Sequence, residues 1–303
     1  MKVMKASEAH QSIIYEHWKQ YFMQDPRNID SYFEHFYNGE QSYVLLDEQQ
    51  VIASCQVAPH QMVLHGKTID TSILHSFYTI EERRYQGYLE YLLNRVLMER
   101  ENLELITLVH QRDFDLNQFR FEPVFFHQVC NIKRNMIPIT DSSGVRLNIA
   151  NADLLELYQY YTKYFNGYFV RNEAYYEQMK QHLRAIDGRY IGVYDAQGEL
   201  RASVRMSSKS QEAMIDEIVY KDTASILKLL SFVLSQYSSL QLHMSLVEDI
   251  KKIVPEALVS KQVHLYARLN HSSLFERLYN VKVRTSDSAI NAFQKPLFNS
   301  DSY

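Results

Sequence analysis

The spacing of apolar side chains near the start of the chain predicts two helices. Across residues 8–22, Ile13, Ile14 and Trp18 recur on one side, as expected of a helix that covers a core. A second helix is expected over residues 30–37, where aromatic side chains return at helical spacing. Asn38-Gly39 ends it, because glycine readily adopts the left-handed conformation that closes a helix.

Runs of β-branched and aromatic residues follow and predict strands. Residues 42–46 and 51–57 are joined by four polar residues, which is typical of a hairpin. Further strands are expected over residues 71–80, 103–109 and 121–132. The pattern therefore mixes strands and helices without the regular alternation of a parallel α/β fold.

A one-sided apolar stripe directly after the third strand predicts an amphipathic helix. It consists of Leu89, Leu92, Leu93, Val96 and Leu97. The turn before it holds Arg83, Arg84 and Gly87. Because a helix N-terminus offers unpaired N–H groups and glycine lets a ligand approach closely, such a turn can bind a pyrophosphate. An ordinary strand-to-helix connection that uses glycine to turn is the alternative.

The order of elements returns in the second half of the chain. Tyr190-Ile-Gly-Val-Tyr-Asp195 and Leu200-Arg-Ala-Ser203 repeat the layout of Tyr43-Val-Leu-Leu-Asp47 and Val51-Ile-Ala-Ser54. A strand over residues 214–220 and a helix over 223–236, capped by Asp222, then follow. With a linker at 138–144, the sequence predicts two α+β domains, each a mixed sheet flanked by helices, over residues 1–138 and 145–303.

Composition limits the function classes. The 303 residues are 46% hydrophobic and 22% charged, with a formal net charge of -4. This balance is typical of a globular protein and lacks the basic excess of a nucleic-acid binder. No apolar run is long enough to span a membrane, and residues 1–11 do not resemble a secretory signal, so a cytoplasmic protein is expected.

Cysteine and histidine usage predicts neither a disulfide nor a metal site. Cys55 and Cys130 both lie in apolar runs and are expected to be buried thiols. Among the 12 histidines, His60 and His65 form the closest pair, but no acidic residue or cysteine stands in register with them. We therefore expect no bound metal.

A family resemblance becomes visible at the basic turn. Arg84-Tyr-Gln-Gly-Tyr-Leu89 is similar to the Arg/Gln-x-x-Gly-x-Gly/Ala loop of GNAT acetyltransferases. The final leucine resembles the Arg-Arg-Arg-Gly-Leu-Leu variant of Eis-type (enhanced intracellular survival) acetyltransferases. Three other segments look like parts of that family, namely Asn117-Gln-Phe-Arg-Phe-Glu122, Asn166-Gly-Tyr-Phe-Val-Arg171 and Tyr266-Ala-Arg-Leu269.

The resemblance implies tandem GNAT folds of which only the first binds acetyl-CoA. The backbone of Phe77, Tyr78 and Thr79 would pair with the pantetheine as an added strand. The pyrophosphate would be held by the loop residues Arg84, Tyr85, Gln86, Gly87, Tyr88 and Leu89. The second domain would lack a cofactor, since residues 220–229 contain no Arg-x-x-Gly.

The resemblance also implies direct attack of an amine on the thioester, with a tyrosine as proton donor. Leu116 stands at the donor position, counted from Arg120 in the place of the family's glycine. His110, at the end of a predicted strand, is the nearest titratable alternative. The family's terminal carboxylate belongs to a third domain, but fewer than about forty residues follow Tyr266, too few for that domain. Tyr303 could supply a carboxylate, although residues 298–303 are expected to form a mobile end.

The acceptor pocket is expected between the first two helices and the sheet. Its candidate lining residues are Trp18, Tyr21, Phe22, Asp25, Asp30, Tyr32, Glu34 and Phe36. Aromatic walls with acidic groups suit a cationic amine such as a polyamine, a lysine or an aminoglycoside. Aromatic residues at helical spacing are also typical of a core, and that alternative stays open for each of them.

The sequence thus predicts an acetyl-CoA-dependent N-acetyltransferase acting on a primary amine. A degenerate acyl-CoA-binding or interaction protein that keeps the fold without turnover is the alternative, and Leu116 favours it. An aminoacyl transferase acting on cell-wall peptides is a third interpretation, but its inserted helical arm is missing. Neither nucleic acid nor a membrane is expected as a partner, and self-association into a homo-oligomer is left open.

Overall fold

The computed structural model describes residues 1–22, 25–110 and 114–301. Its helices are α1 (Glu8–Tyr21), α2 (Pro26–His35), α3 (Tyr88–Leu103), α4 (Asn151–Thr162), α5 (Glu173–Ala185), α6 (Thr223–Gln236), α7 (Ser272–Tyr279) and α8 (Ser286–Ile290). Its strands are β1 (Lys2–Lys5), β2 (Ser42–Asp47), β3 (Gln50–Leu64), β4 (Lys67–Thr79), β5 (Ile106–His110), β6 (Glu122–Lys133), β7 (Val145–Arg146), β8 (Tyr168–Phe169), β9 (Arg189–Tyr194), β10 (Leu200–Lys209), β11 (Glu212–Tyr220), β12 (Ser239–Ser245) and β13 (Leu258–Leu269).

The chain forms two compact units. The first contains Met1–Val124, His264–Phe293 and Asp301, and the second contains Phe125–Val263 and Gln294–Ser300. Among the described helices, none has both the length and the apolar composition that crossing a bilayer requires. Cys55 and Cys130 are free and buried, as predicted.

The sheet of the first unit has the strand order β1-β2-β3-β4-β5-β13. Its neighbours are antiparallel except β4 and β5, which run parallel and are connected through α3. Parallel neighbours require such a crossover, because the chain must return to the same end of the sheet. The apolar face of α3, with Leu92, Leu93 and Val96 fully buried, packs in the core of this unit.

The second unit repeats this plan with the order β6-β12-β11-β10-β9-β7. Here β11 and β12 are the parallel pair, and α6 connects them. The series α1, α2, β2, β3, β4, α3, β5, β6 thus recurs as α4, α5, β9, β10, β11, α6, β12, β13. The cap predicted for α6 is present, since Asp222 accepts a hydrogen bond from the Ser225 amide. The predicted mixed sheets with flanking helices are therefore confirmed as a fold class.

The two units differ from the predicted ranges 1–138 and 145–303. In the second unit, residues 127–133 of β6 pair with β12, while in the first unit residues 265–269 of β13 pair with β5. Each sheet is completed by a strand from the other half of the chain. Composition could not show this, because strand pairing between distant residues leaves no local signal. A second domain of GNAT type without a cofactor stays a prediction.

Local sequence explains most element boundaries. Helix α2 starts earlier than predicted because Asp25 caps it and Pro26 occupies its first turn, where a missing N–H costs nothing. Strands β3 and β4 are longer than predicted and meet at His65-Gly66. Both of these residues have positive φ angles, 49° and 79°, the conformation of a tight hairpin turn.

Arg171, at the end of the motif that resembled the start of a second domain, is part of a buried ion pair. Its guanidinium lies 2.6 Å from the Glu217 carboxylate, and the two side chains are 1% and 2% exposed. The rings of Tyr158 and Tyr175 lie 4.0 and 4.5 Å from the guanidinium carbon. An isolated buried charge would be costly, so these partners explain how arginine is tolerated there.

The prediction of a mobile C-terminal tail is wrong for the described residues. Phe298, Asn299, Ser300 and Asp301 are all buried. The Phe298 ring lies 5.1 Å from the Tyr161 ring and 5.5 Å from the Phe165 ring. The polar composition of the tail suggested mobility, but its backbone forms hydrogen bonds with distant residues. The Phe298 amide, for example, donates to the Asn166 carbonyl at 3.0 Å.

We expect Phe298→Ala to lower the free energy of unfolding by about 3–5 kcal/mol, because a buried aromatic ring is replaced by a cavity. Chemical denaturation of the full chain measures this loss. Ile139→Ala is the control, since Ile139 is 94% exposed and its change should stay within about 0.5 kcal/mol. An equal effect of the two variants would contradict the buried position of the tail.

Candidate active site

Strand β4 loses one of its two neighbours before it ends. Its pairing with β3 continues to Thr79, opposite Ala53. Its parallel pairing with β5 stops at Leu74, opposite Val109. Over the open stretch, residues 75–79, β4 therefore remains paired with β3 but is no longer paired with β5. Backbone groups at such an edge can pair with an extended ligand.

A β-bulge lies at the start of this open stretch. Ser54 pairs with Tyr78 and Gln56 pairs with His75, so that Ser76 and Phe77 stand together opposite one residue of β3. Ser76 has a φ of 52°, the left-handed region that a bulge can require. Because bulges generally bend the strand that carries them, this one is a local reason for the separation of β4 from β5.

The turn between β4 and α3 presents an uncapped helix N-terminus. Gly87 stands at the N-cap with a φ of 82°, and the helix start has no side-chain cap. Among the described residues, no heavy atom lies within 4 Å of the position that a Cβ would take at Gly87. Tyr88 and Leu89 form the first turn and are half-buried, whereas Tyr85 is fully exposed. The first amide groups of α3 are thus accessible to an anion.

The two arginines of this turn have different surroundings. Arg83 donates to the Asp47 carboxylate at 3.2 Å, so its charge is largely neutralised. Arg84 donates from Nε to the Thr79 carbonyl at 3.3 Å and stacks on the Tyr21 ring at 5.0 Å. Arg84 has no carboxylate partner among the described residues and provides the free positive charge. Gln86 is exposed and bonds to the Glu82 carbonyl at 3.0 Å.

The predicted aromatic lining residues belong to one packed cluster. Trp18 is buried, and its ring lies 4.9 Å from the Tyr32 ring. Phe36 stacks on Tyr32 at 6.1 Å, and Phe33 meets Trp18 edge-on at 5.1 Å. These rings hold α1 against α2, and their burial agrees with the core alternative for Trp18.

The three predicted acidic lining residues are exposed. Asp25 pairs with Arg27 at 2.7 Å, and Asp30 pairs with Lys19 at 3.0 Å. Glu34 lies 3.8 Å from His35 and pairs with no lysine or arginine among the described residues. Of the three carboxylates, Glu34 is therefore the one that a cationic ligand could approach without displacing a lysine or arginine.

Sequence inspection missed two histidines on the side of the sheet that faces α1 and α2. His17 of α1 lies with Nδ1 2.8 Å from the phenolic oxygen of Tyr78. His75 is buried at the bulge, 2.9 Å from the Ser76 hydroxyl and 3.5 Å from that of Tyr32. The proximity of His17 to Trp18 on one helix was a usable signal, but its contact with β4 depends on tertiary packing.

Burial changes the acidities of this pair. It lowers the pKa of His17 from its usual 6.5, and the nearby Glu82 carboxylate partly opposes that change. Burial raises the pKa of Tyr78 above its usual 10. Both changes favour the neutral forms, as expected where charged groups would lose hydration.

The candidate proton donors named from the sequence have these positions. Leu116 is buried at the start of a single helical turn, and Arg120 at its end has a φ of 62°. This left-handed conformation fits the position where the resembled segment has glycine, and leucine cannot donate a proton there. His110 ends β5 and lies with Nδ1 3.1 Å from the His264 carbonyl. Tyr303 lies outside the described residues.

Comparison with known proteins gives a family match in the first part of the chain. Residues 2–109 match the family described as the acetyltransferase (GNAT) domain. No curated protein matches the sequence. The family match contains the open stretch of β4, the turn at Gly87, α3 and nearly all of β5.

Solved structures of similar fold cover most of the chain. A conserved protein of Enterococcus faecalis V583, described as a probable N-acyltransferase, is 15% identical with a TM-score of 0.74, covering 91% of this chain and 74% of its own. A GCN5-related N-acetyltransferase of Anabaena variabilis ATCC 29413 is 18% identical with a TM-score of 0.75, covering 89% and 73%. Eis1 of Mycobacterium abscessus is 11% identical with a TM-score of 0.67, covering 91% and 75%. These similarities establish a GNAT acetyltransferase fold, and with the domain match they support an acyltransferase.

We expect the pKa of His17 to lie below 6.5, which NMR titration of the histidine signals can measure, with His17→Gln assigning the resonance. Because folding favours the neutral ring, the contribution of His17 to stability is complete above pH 6.5 and is lost as the pH falls below it. A pKa above 6.5 would contradict the burial of this side chain.

Proposed function

We propose that the chain transfers an acetyl group from acetyl-CoA to a primary amine. The observation that carries the proposal is the separation of β4 from β5 after Leu74, together with the uncapped start of α3 in the next connection. An extended pantetheine fits the first feature and a pyrophosphate fits the second. Both groups belong to one ligand, coenzyme A.

The residues of the turn fit the diphosphate in charge and in space. Gly87 leaves room where a side chain would stand, and the first amides of α3 provide hydrogen-bond donors. Arg84 adds the positive charge that Arg83, paired with Asp47, does not offer. Phe77, Tyr78 and Thr79 would bind the pantetheine through their backbone groups.

The reaction would proceed by direct attack of the amine on the thioester carbonyl, without a covalent enzyme intermediate. Backbone N–H groups of β4 at the bulge would stabilise the negative charge that develops on the carbonyl oxygen. The amine must lose a proton and the leaving thiolate must gain one, so a titratable pair is needed nearby. We also propose an Eis-like arrangement, in which the second half of the chain is a GNAT-type domain that binds no cofactor.

The amine would enter from the side of α1 and α2. The exposed carboxylates Asp25, Asp30 and Glu34 lie on or beside α2, and they would attract a cationic amine. Trp18 and Phe36 would support the pocket from the aromatic cluster. Glu34 is the strongest candidate contact because no lysine or arginine neutralises it among the described residues.

An acyl-CoA-binding protein without turnover is the second candidate. The observation in its favour is Leu116, buried where a proton donor is expected. This candidate shares the ligand site and differs only in catalysis. Release of free thiol from acetyl-CoA in the presence of amines separates the two functions.

We expect acetyl-CoA at about a hundred times its Kd to stabilise the wild type by about 2.7 kcal/mol, raising Tm by several degrees. Gly87→Glu should abolish this shift, because a side chain and a negative charge would occupy the diphosphate position. Gly66→Glu is the matched control, since Gly66 also has a positive φ and open space around its Cβ position. An unchanged shift in Gly87→Glu would contradict the phosphate loop.

For a diamine acceptor, we expect Glu34→Gln to raise KM about fivefold at unchanged kcat, since one exposed ionic contact contributes up to about 1 kcal/mol. Asp25→Asn should leave KM within about twofold, because Asp25 is already paired with Arg27 and asparagine still caps α2. Steady-state thiol release measures both. Equal effects of the two substitutions would exclude Glu34 as the specific contact.

A further inference from the structure

The hydrogen bond between His17 and Tyr78 joins α1 to the open stretch of β4. Nδ1 of His17 and the phenolic oxygen lie 2.8 Å apart, and the two rings meet edge-on at 5.0 Å. Tyr78 is 4% exposed, whereas His17 is half-buried. Among the described residues, Nε2 of His17 has no hydrogen-bond partner. At one end of the pair the phenol of Tyr78 is buried, and at the other end Nε2 of His17 can accept a hydrogen bond.

Neighbouring groups hold this pair in place. Tyr21, one turn after His17, lies with its ring 5.9 Å from the His17 ring and 6.2 Å from the Tyr78 ring. Glu82 acts on His17 by its charge from the turn after β4, and Arg84 lies over Tyr21. Ser54, fully buried, stands directly opposite Tyr78 on β3. The pair is thus fixed between α1, β3, β4 and the proposed phosphate loop.

We infer that His17 and Tyr78 form the proton shuttle of the acyl transfer, with Tyr78 as the acid in place of the missing donor at Leu116. This inference rests on the proposed acetyl transfer. The backbone of Tyr78 belongs to the edge proposed to bind pantetheine, and its side chain lies on the side from which the amine would enter. In the proposed complex the pair would therefore lie between the amine and the leaving thiolate.

The proton transfers balance as follows. The neutral amine forms the C–N bond while the C–S bond breaks and the electron pair leaves with sulfur. One amine proton passes to Nε2 of His17, the proton on Nδ1 passes to the phenolic oxygen, and the phenolic proton passes to the thiolate. His17 ends as the other neutral tautomer, and proton exchange with water restores the first.

The acidities of the two groups favour a coupled transfer. Because burial lowers the pKa of His17, the ring is neutral near pH 7 and can accept a proton. Because burial raises the pKa of Tyr78, a separate phenolate would be costly. Donation by Tyr78 is therefore favourable only if His17 replaces the proton at once, which their direct hydrogen bond allows.

Other titratable groups near the opening fit this role less well. His110 lies on β5 and directs Nδ1 to the His264 carbonyl, on the strand that has separated from β4. His75 is buried at the bulge and faces the Tyr32 hydroxyl and Ser76. His17 differs from both because it bonds through Nδ1 to the phenol of Tyr78, a residue of β4. Neither His110 nor His75 has such a bond to Tyr78 among the described residues.

The test compares Tyr78→Phe, His17→Gln and the double variant by thiol release with an amine that the wild type acetylates. General acid–base catalysis contributes about 10²–10⁴-fold, so each single variant should lose kcat on that scale while the acetyl-CoA-induced shift in Tm is kept. The double variant should lose no more than about the larger single loss, because the two residues act as one unit.

Tyr43→Phe is the matched control. Tyr43 is as buried as Tyr78, and its phenol donates to Glu99 of α3 at 2.6 Å. Tyr43→Phe therefore removes a buried, hydrogen-bonded phenol that is not part of the shuttle. The wild-type rate should also fall at acid pH with a midpoint below 6.5, as the His17 ring, which lies near Tyr78, Tyr21 and Glu82, becomes protonated at Nε2. His17→Gln should lack this step.

The possible results separate the shuttle from the proposed function. A wild type that binds acetyl-CoA but releases no thiol with any amine would overturn the proposed function and the shuttle together. If the wild type is active and Tyr78→Phe has a kcat like that of Tyr43→Phe, the shuttle alone is overturned. The shuttle is also overturned if the kcat losses of the two single variants multiply in the double variant. Should Tyr78→Phe fail to fold, shown by its Tm without ligand, His17→Gln with its kcat and pH profile decides the same question.

Discussion

The separation of β4 from β5 beyond Leu74 and Val109 is the constraint on which the candidate site depends. Backbone N–H and C=O groups need partners, and a stretch of sheet that loses a neighbour offers them to something else. A bulge with a positive φ at Ser76 lies at this point. The uncapped start of α3 follows within the same connection. The strand edge could bind an extended ligand, and the N-terminus of α3 beyond it could bind an anion.

Burial then determines which side chains near this opening can do chemistry. The exposed carboxylates of the α2 region keep water or basic partners around them, so they suit electrostatic attraction of a substrate rather than proton transfer. His17 and Tyr78 are withdrawn from water and bonded to each other, so their protonation is linked. In the proposed site, exposed carboxylates would attract the amine, and the buried His17–Tyr78 pair would transfer the proton.

Much of the fold was predictable because it follows from local patterns. The helix over residues 223–236 and its Asp222 cap were found as predicted, and the amphipathic stripe from Leu89 to Leu97 lies in α3. The turn at Gly87 could be recognised because basic residues and glycine follow a strand directly. The division into units could not be predicted, since β6 and β13 each complete a sheet distant in sequence. The buried tail was missed because its backbone partners, such as Asn166, lie far along the chain.

The sequence by itself determined the element types, the α+β class and the short turn that resembles an acetyl-CoA loop, because side-chain periodicity and glycine conformation act over a few residues. Only the tertiary structure decided that β4 opens away from β5, that Arg83 is neutralised by Asp47 and that His17 reaches Tyr78. These features depend on residues 35 to 61 positions apart. Their contact is set by how whole elements pack, which no local pattern encodes.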